Sequence, residues 1–143
     1  MVPEFIIIHH SLTKDSRTVS WNAIRRYHTE TLGYDDIGYH YGVELVDDDY
    51  RVMIGRSMEM HGAHCRELDM NFRSLGVCLI GNFDLILPPV EQWTVAVQLV
   101  NTLRAIHNIP VERVLGHNEC KPSKSCPGYA FSMSFFRGCL SKM

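Results

Sequence analysis

The sequence predicts an α/β fold: a single domain over residues 1–143, with a mixed central β-sheet of about five strands flanked by helices. Three observations lead there. Two short apolar runs, Phe5 to Ile8 and Leu75 to Ile80, have the composition of strands buried on both faces. Between and after them come segments with helical spacing, which supply the crossovers that parallel strands need. An alternating segment folded about Asp47-Asp48-Asp49 reads as an antiparallel hairpin, so the sheet is mixed.

The elements follow in order. Phe5 to Ile8 opens the chain as a strand, and Ser11 to Thr18 is a polar loop. Ser20 is a helix N-cap before Trp21, Ile24 and Tyr27, which recur at helical spacing until Gly33 ends the helix. Tyr39 to Val46 and Tyr50 to Ile54 are the arms of the hairpin. Met58 to Arg73 has no clean period, and irregular segments of this length inside a compact domain tend to be functional. Pro88-Pro89 starts a long helix whose buried stripe is Val90, Trp93, Val97, Val100, Leu103 and Ile106 or His107, and Asn108 and Pro110 stop it. Val111 to Leu115 is a short strand, and Tyr129 to Cys139 a last amphipathic helix with Phe131, Phe135 and Phe136 inward.

Composition excludes several classes. A chain of 143 residues with 45% hydrophobic and 21% charged residues is ordinary for a globular domain, with no repeat, charge block or linker-like run. A formal net charge of −2 gives no electrostatic case for a nucleic-acid partner. No apolar stretch approaches the roughly 18–20 residues that span a bilayer, so no membrane insertion is expected. Only Met1 to Glu4 precede the first strand, without a basic or cleavable leader, so synthesis in the cytoplasm without a signal peptide is expected. The odd count of five cysteines argues against a disulfide framework.

The chemistry concentrates at two places. The run Phe5-Ile6-Ile7-Ile8 ends abruptly in His9-His10, and the short strand before Gly116 delivers His117, followed by Cys126-Pro127-Gly128. Imidazole and thiolate are the donors Zn²⁺ takes, and two histidines with one cysteine leave the fourth position open, as a catalytic zinc requires. Successive strand residues face opposite sides of a sheet, so one of His9 and His10 points into the site, and the pattern leaves that choice open. Cys120 competes with Cys126. Cys126 is preferred because Pro127-Gly128 would fix the turn after it, and a site closed by both cysteines would be structural. Lys124 stands near Cys126, where an ammonium would stabilise an oxyanion, and the Tyr39 hydroxyl is a candidate to bond water or a substrate carbonyl. His28, His61 and His107 have no such context.

Five motifs occur in one order: Ile8-His9-His10-Ser11, Asp36-Ile37-Gly38-Tyr39-His40-Tyr41, Gly62-Ala63-His64, Asn71 through Gly81, and Gly116-His117 through Cys126-Pro127-Gly128. Together they resemble the zinc N-acetylmuramoyl-L-alanine amidases, which include phage lysozymes and the catalytic peptidoglycan recognition proteins. The resemblance implies a mixed sheet flanked by helices, and zinc ligands at His9, His117 and Cys126. It selects His9 over His10, implies catalytic roles for Tyr39 and Lys124, and sets His64 in the substrate groove. The chain departs from the phage type in a loop from His117 to Cys126 that is one residue longer, in the extra Cys120, and in a longer stretch between His64 and Ser74. Cys78 stands where some relatives carry a catalytic glutamate.

The resemblance implies a Zn²⁺ hydrolase that cuts the amide bond between N-acetylmuramic acid and L-alanine in peptidoglycan. It suggests a phage or prophage endolysin, monomeric, acting on the cell wall after release. The rival expectation is a non-catalytic peptidoglycan-binding module or a regulatory binding protein. A binder would be marked by a lost ligand, and all three are present.

Overall fold

The computed structural model describes residues 1–12 and 20–142, so most of the polar loop predicted at 11–18 lies outside the described residues. The elements are β1 (Phe5–His10), α1 (Trp21–Arg26) continued by a π-helical turn (Tyr27–Thr31), β2 (Tyr41–Val46), β3 (Asp49–Ile54), and a 3₁₀ turn (Glu67–Asp69) leading into α2 (Met70–Arg73). Then come β4 (Ser74–Leu79), α3 (Val90–His107), β5 (Val114–Gly116), α4 (His117–Cys120) and α5 (Met133–Cys139). The strands form one five-stranded sheet in the order β3-β2-β4-β1-β5. β1 runs parallel to β4 and β5, β2 runs parallel to β4, and β2 and β3 pair antiparallel, which is the mixed sheet expected.

Differences from the sequence reading are local. After Pro110, residues Val111–Arg113 coil into a 3₁₀ turn, which shortens β5. Ser132 accepts the Phe135 N–H as N-cap, so the last helix starts later than Tyr129, and Phe135 is 65% exposed. The buried side of α3 carries Gln92, Ala96, Leu99, Val100, Leu103 and Arg104, and Val90 is left 76% exposed. The reason is polar satisfaction. Gln92 Nε2 donates to the Val43 and Ile80 carbonyls, and Arg104 Nε donates to the Ile109 carbonyl. Bonded polar groups can hold core positions that a count of apolar residues assigns elsewhere.

The two faces of the sheet differ in what they bury. Ile6, Ile8, Val77 and Leu79 pack with Ala96, Val100, Leu103 and Phe136 in the main core. On the other face Cys78 packs with Trp21, Ile24 and Ile37, and Ile7 packs with Cys65, Met70 and Cys120. That second face has little side-chain bulk at its centre. A Cβ on Gly76 would lie 2.6 Å from the His64 ring, and one on Gly42 would lie 2.2 Å from the Trp21 ring. Glycine at these strand positions lets two large rings approach the backbone. Among the described residues no helix is long and apolar enough to cross a membrane.

Candidate functional site

Strand alternation separates the two adjacent histidines of β1. His9 turns to the second face with Ile7. His10 turns to the main core, where its Nδ1 accepts the Phe83 N–H at 3.1 Å. His10 still serves the site through its backbone, whose N–H points at Cys126 Sγ, 3.4 Å away.

His117 begins α4 directly after β5. The Glu119 carboxylate accepts the Gly116 N–H at 2.9 Å and is held by Arg137 at 2.7 Å, which pins the turn that carries His117. The loop closes on itself where the Asn118 N–H donates to the Cys126 carbonyl at 2.7 Å. The Cys126–Pro127 peptide is cis. Gly128 follows at φ +128°, and a Cβ there would meet the Phe83 backbone at 2.3 Å.

These elements bring the donor atoms of His9, His117 and Cys126 within 4.8 Å of one another. Cys126 Sγ lies 3.5 Å from His9 Nδ1, and the His9 and His117 ring centroids are 4.9 Å apart. Cys120 is not in this group; it is buried with Ile7, Cys65 and Met70.

Hydrogen bonding assigns the His9 tautomer. Ser74 Oγ donates to the Met70 carbonyl at 2.7 Å, so toward His64 Nε2, 3.4 Å away, it accepts. His64 therefore presents a lone pair at Nδ1. That atom is 2.9 Å from His9 Nε2, which carries the proton. The free lone pair of His9 is on Nδ1, the nitrogen that faces Cys126.

Electrostatics suit a cation. Burial drives the His9 imidazole far below its usual range, and the neighbouring His64, His117 and His10 push the same way. Burial, then His40, brings His64 down to about 3. Both rings are neutral at physiological pH, as an imidazole ligand must be. Burial pushes the Cys126 thiol up to about 12, against the opposing pull of the His10 N–H and Lys124. Such a thiol keeps its proton unless a cation replaces it. The set of two imidazoles and one thiol fits Zn²⁺.

Tyr39 lies beside the donors, its ring centroid 5.2 Å from His9 and 6.5 Å from His64. Burial raises its pKa well above 10, with the Cys78 and Cys126 thiols acting in the same direction, so the phenol keeps its proton. Lys124 is exposed on the wall of a cleft of about 420 Å³, shared with Tyr34, Ala63, His64, Cys65, Arg66, Glu67, Asn71, His117 and Lys121. His64 thus has two contacts of interest, the cleft on one side and His9 on the other.

Three contributors were given no role by the sequence. Glu67 Oε1 lies 3.1 Å from His117 Nε2, from within the irregular segment. His28 stands 5.6 Å from the Tyr39 ring, and its Nδ1 accepts the Gly38 N–H. His40 is fully buried, with Nδ1 accepting the Gly76 N–H and Nε2 bonded to the Met60 carbonyl.

The family model for N-acetylmuramoyl-L-alanine amidases matches residues 1–129. The endolysin of Escherichia phage T7 is 35% identical over 130 residues, covering 87% of this chain and 80% of the relative. The structure of the N-acetylmuramoyl-L-alanine amidase LysC from Clostridium intestinale URNW superposes with a TM-score of 0.83 at 23% identity, covering 96% of this chain and 84% of that one, a likeness of fold. A mutant of Drosophila PGRP-LB in complex with tracheal cytotoxin superposes with a TM-score of 0.76 at 27% identity, covering 92% and 79%.

Proposed function

This chain belongs to the N-acetylmuramoyl-L-alanine amidase family, and from that premise we propose that it is a zinc hydrolase of bacterial peptidoglycan. It cuts the amide bond between the lactyl group of N-acetylmuramic acid and L-alanine. The observation that carries the proposal is the convergence of His9, His117 and Cys126 within 4.8 Å, close to a cleft that shares His117.

His9 and His117 would hold the ion as neutral imidazoles and Cys126 would hold it as thiolate. Zinc, when bound, supplies Lewis acidity that activates water and polarises the amide carbonyl. Lys124 stabilises the negative charge that develops on the carbonyl oxygen. Tyr39, still protonated, donates a hydrogen bond to that oxygen or orients the attacking water. His64 holds His9 and borders the substrate. The C–N bond breaks, the water oxygen stays on the lactyl carboxylate, and both of the water's protons end on the L-alanine nitrogen, which leaves as an ammonium.

The relatives support the substrate class, since one is an endolysin and another was solved with tracheal cytotoxin. The reading is a monomeric phage or prophage endolysin, synthesised in the cytoplasm and acting on the wall after release. The test is zinc dependence. Purified peptidoglycan should gain new amino termini with the zinc-loaded protein, lose this after chelation, and regain it on zinc addition. Release that persists after full chelation would defeat the proposal.

A further inference from the structure

We propose that Glu67 is a positioning residue for the metal site: its carboxylate holds the His117 Nε2–H and so presents Nδ1 to the ion. This rests on the zinc reading above and adds a carboxylate to it. Glu67 Oε1 is 3.1 Å from His117 Nε2, and the two side chains are only 25% and 12% exposed. A carboxylate accepts and does not donate, so the proton of His117 sits on Nε2 and the lone pair on Nδ1. His64 arranges the same outcome at His9, whose Nε2–H it accepts. Outer partners of this kind fix the tautomer and ring orientation of metal-binding histidines.

The backbone around Glu67 holds it in place. Leu68 and Asp69 follow at φ 55° and 62°, left-handed conformations that residues other than glycine adopt at a cost. Arg73 donates to the Leu68 carbonyl at 3.3 Å, and Asn71 Oδ1 accepts the N–H groups of both His64 and Cys65. Cys65 and Cys120 share a buried cluster with Ile7, so the loop is packed against α4, the element that carries His117. This segment is the stretch after His64 that the sequence marked as longer than in the phage type.

The donor atoms of Cys65, Glu67 and His117 also lie within 4.8 Å of one another, so the opposing arrangement is a second ion held there. Zinc titration in competition with a chromophoric chelator separates the two. The proteins are wild type, Glu67→Ala, Glu67→Gln and Cys65→Ser, each with its metal-free thermal midpoint measured. The expected result is one zinc per chain in the wild type and affinity lowered roughly 10–100-fold in Glu67→Ala. Glu67→Gln, which keeps an acceptor, should recover part of that loss. The metal-free midpoints of the two Glu67 variants should match wild type, and Cys65→Ser, lowered in midpoint by a hydroxyl in the buried cluster, should keep one zinc per chain. Unchanged affinity in Glu67→Ala overturns the proposal alone. A second zinc lost in both Cys65→Ser and Glu67→Ala overturns it in favour of a separate ion site. Affinity lost in step with the metal-free midpoint, with no recovery in Glu67→Gln, assigns Glu67 a structural role and also overturns it. A wild type that binds no zinc removes the functional reading as well.

Discussion

His9 and His64 meet nitrogen to nitrogen, with Nε2 of the first 2.9 Å from Nδ1 of the second and the ring planes at 90°. The chain continues through Ser74 to the Met70 carbonyl, and Gly76 leaves the space for the His64 ring. A strand position without a side chain thus makes room for the ring that contacts a proposed ligand. His64→Ala removes the acceptor for the His9 Nε2–H. Zinc affinity should fall roughly 10–100-fold, as for other outer partners of ligating histidines. Chelator competition measures it, and wild-type affinity in the variant would contradict the assignment.

The proposed function gives Lys124 and Tyr39 roles in the reaction and not in holding the ion. Lys124→Ala should lower turnover roughly 10²–10³-fold, the usual cost of one oxyanion donor. Tyr39→Phe removes only the hydroxyl and should cost on the order of 10²-fold or more. Both variants should carry zinc in wild-type amounts by metal analysis. Wild-type turnover in Lys124→Ala would remove that residue from the mechanism.

Cys120 is buried with Ile7, Cys65 and Met70, apart from the donor group. Cys120→Ser puts a hydroxyl in that cluster and should cost roughly 1–3 kcal/mol of stability. Zinc content and activity should stay near wild type. Loss of zinc from this variant would mean a closed, structural ion site, and the enzyme reading would have to be withdrawn.

The metal-free protein should lose stability in acid. Burial lowers the folded-state pKa of His9, His10, His28, His40 and His64 from 6.5, to about 3 for His64. A lowered folded pKa means that the unfolded chain binds more protons between the two values. The stability is present above pH 6.5 and drains away as the pH falls toward 3. His117 opposes this. Burial would lower it, but Cys65 and Glu67 outweigh burial and raise it, so its contribution is present in acid and fades as the pH rises. Five histidines against one set the sign. The thermal midpoint under chelation should drop from pH 7 to pH 5, and a flat or rising midpoint would contradict the buried-histidine account.

Much of this is legible in the sequence. The apolar runs at Phe5 and Leu75 announced central parallel strands, because strands covered on both faces leave little room for polar residues. The abrupt change from Ile8 to His9, and the step from Gly116 to His117, marked strand ends that open on a site. What stayed hidden depends on long-range contacts. Glu67 reaches His117 across 50 positions of sequence, from a segment without periodicity. Gln92 and Arg104 occupy buried helix positions only because distant carbonyls accept their protons. The choice between His9 and His10 needed the resemblance, since alternation separates their faces without naming either one.

The most direct test of the central claim is the identity of the bond cut. Purified peptidoglycan digested by the zinc-loaded protein is analysed by mass spectrometry, beside a digest with Cys126→Ser. The expected products are stem peptides that begin with a free L-alanine amine and glycan strands that end their lactyl groups as carboxylates, with neither product from Cys126→Ser. Cleavage within the peptides or the glycan, or wild-type products from Cys126→Ser, would contradict the account.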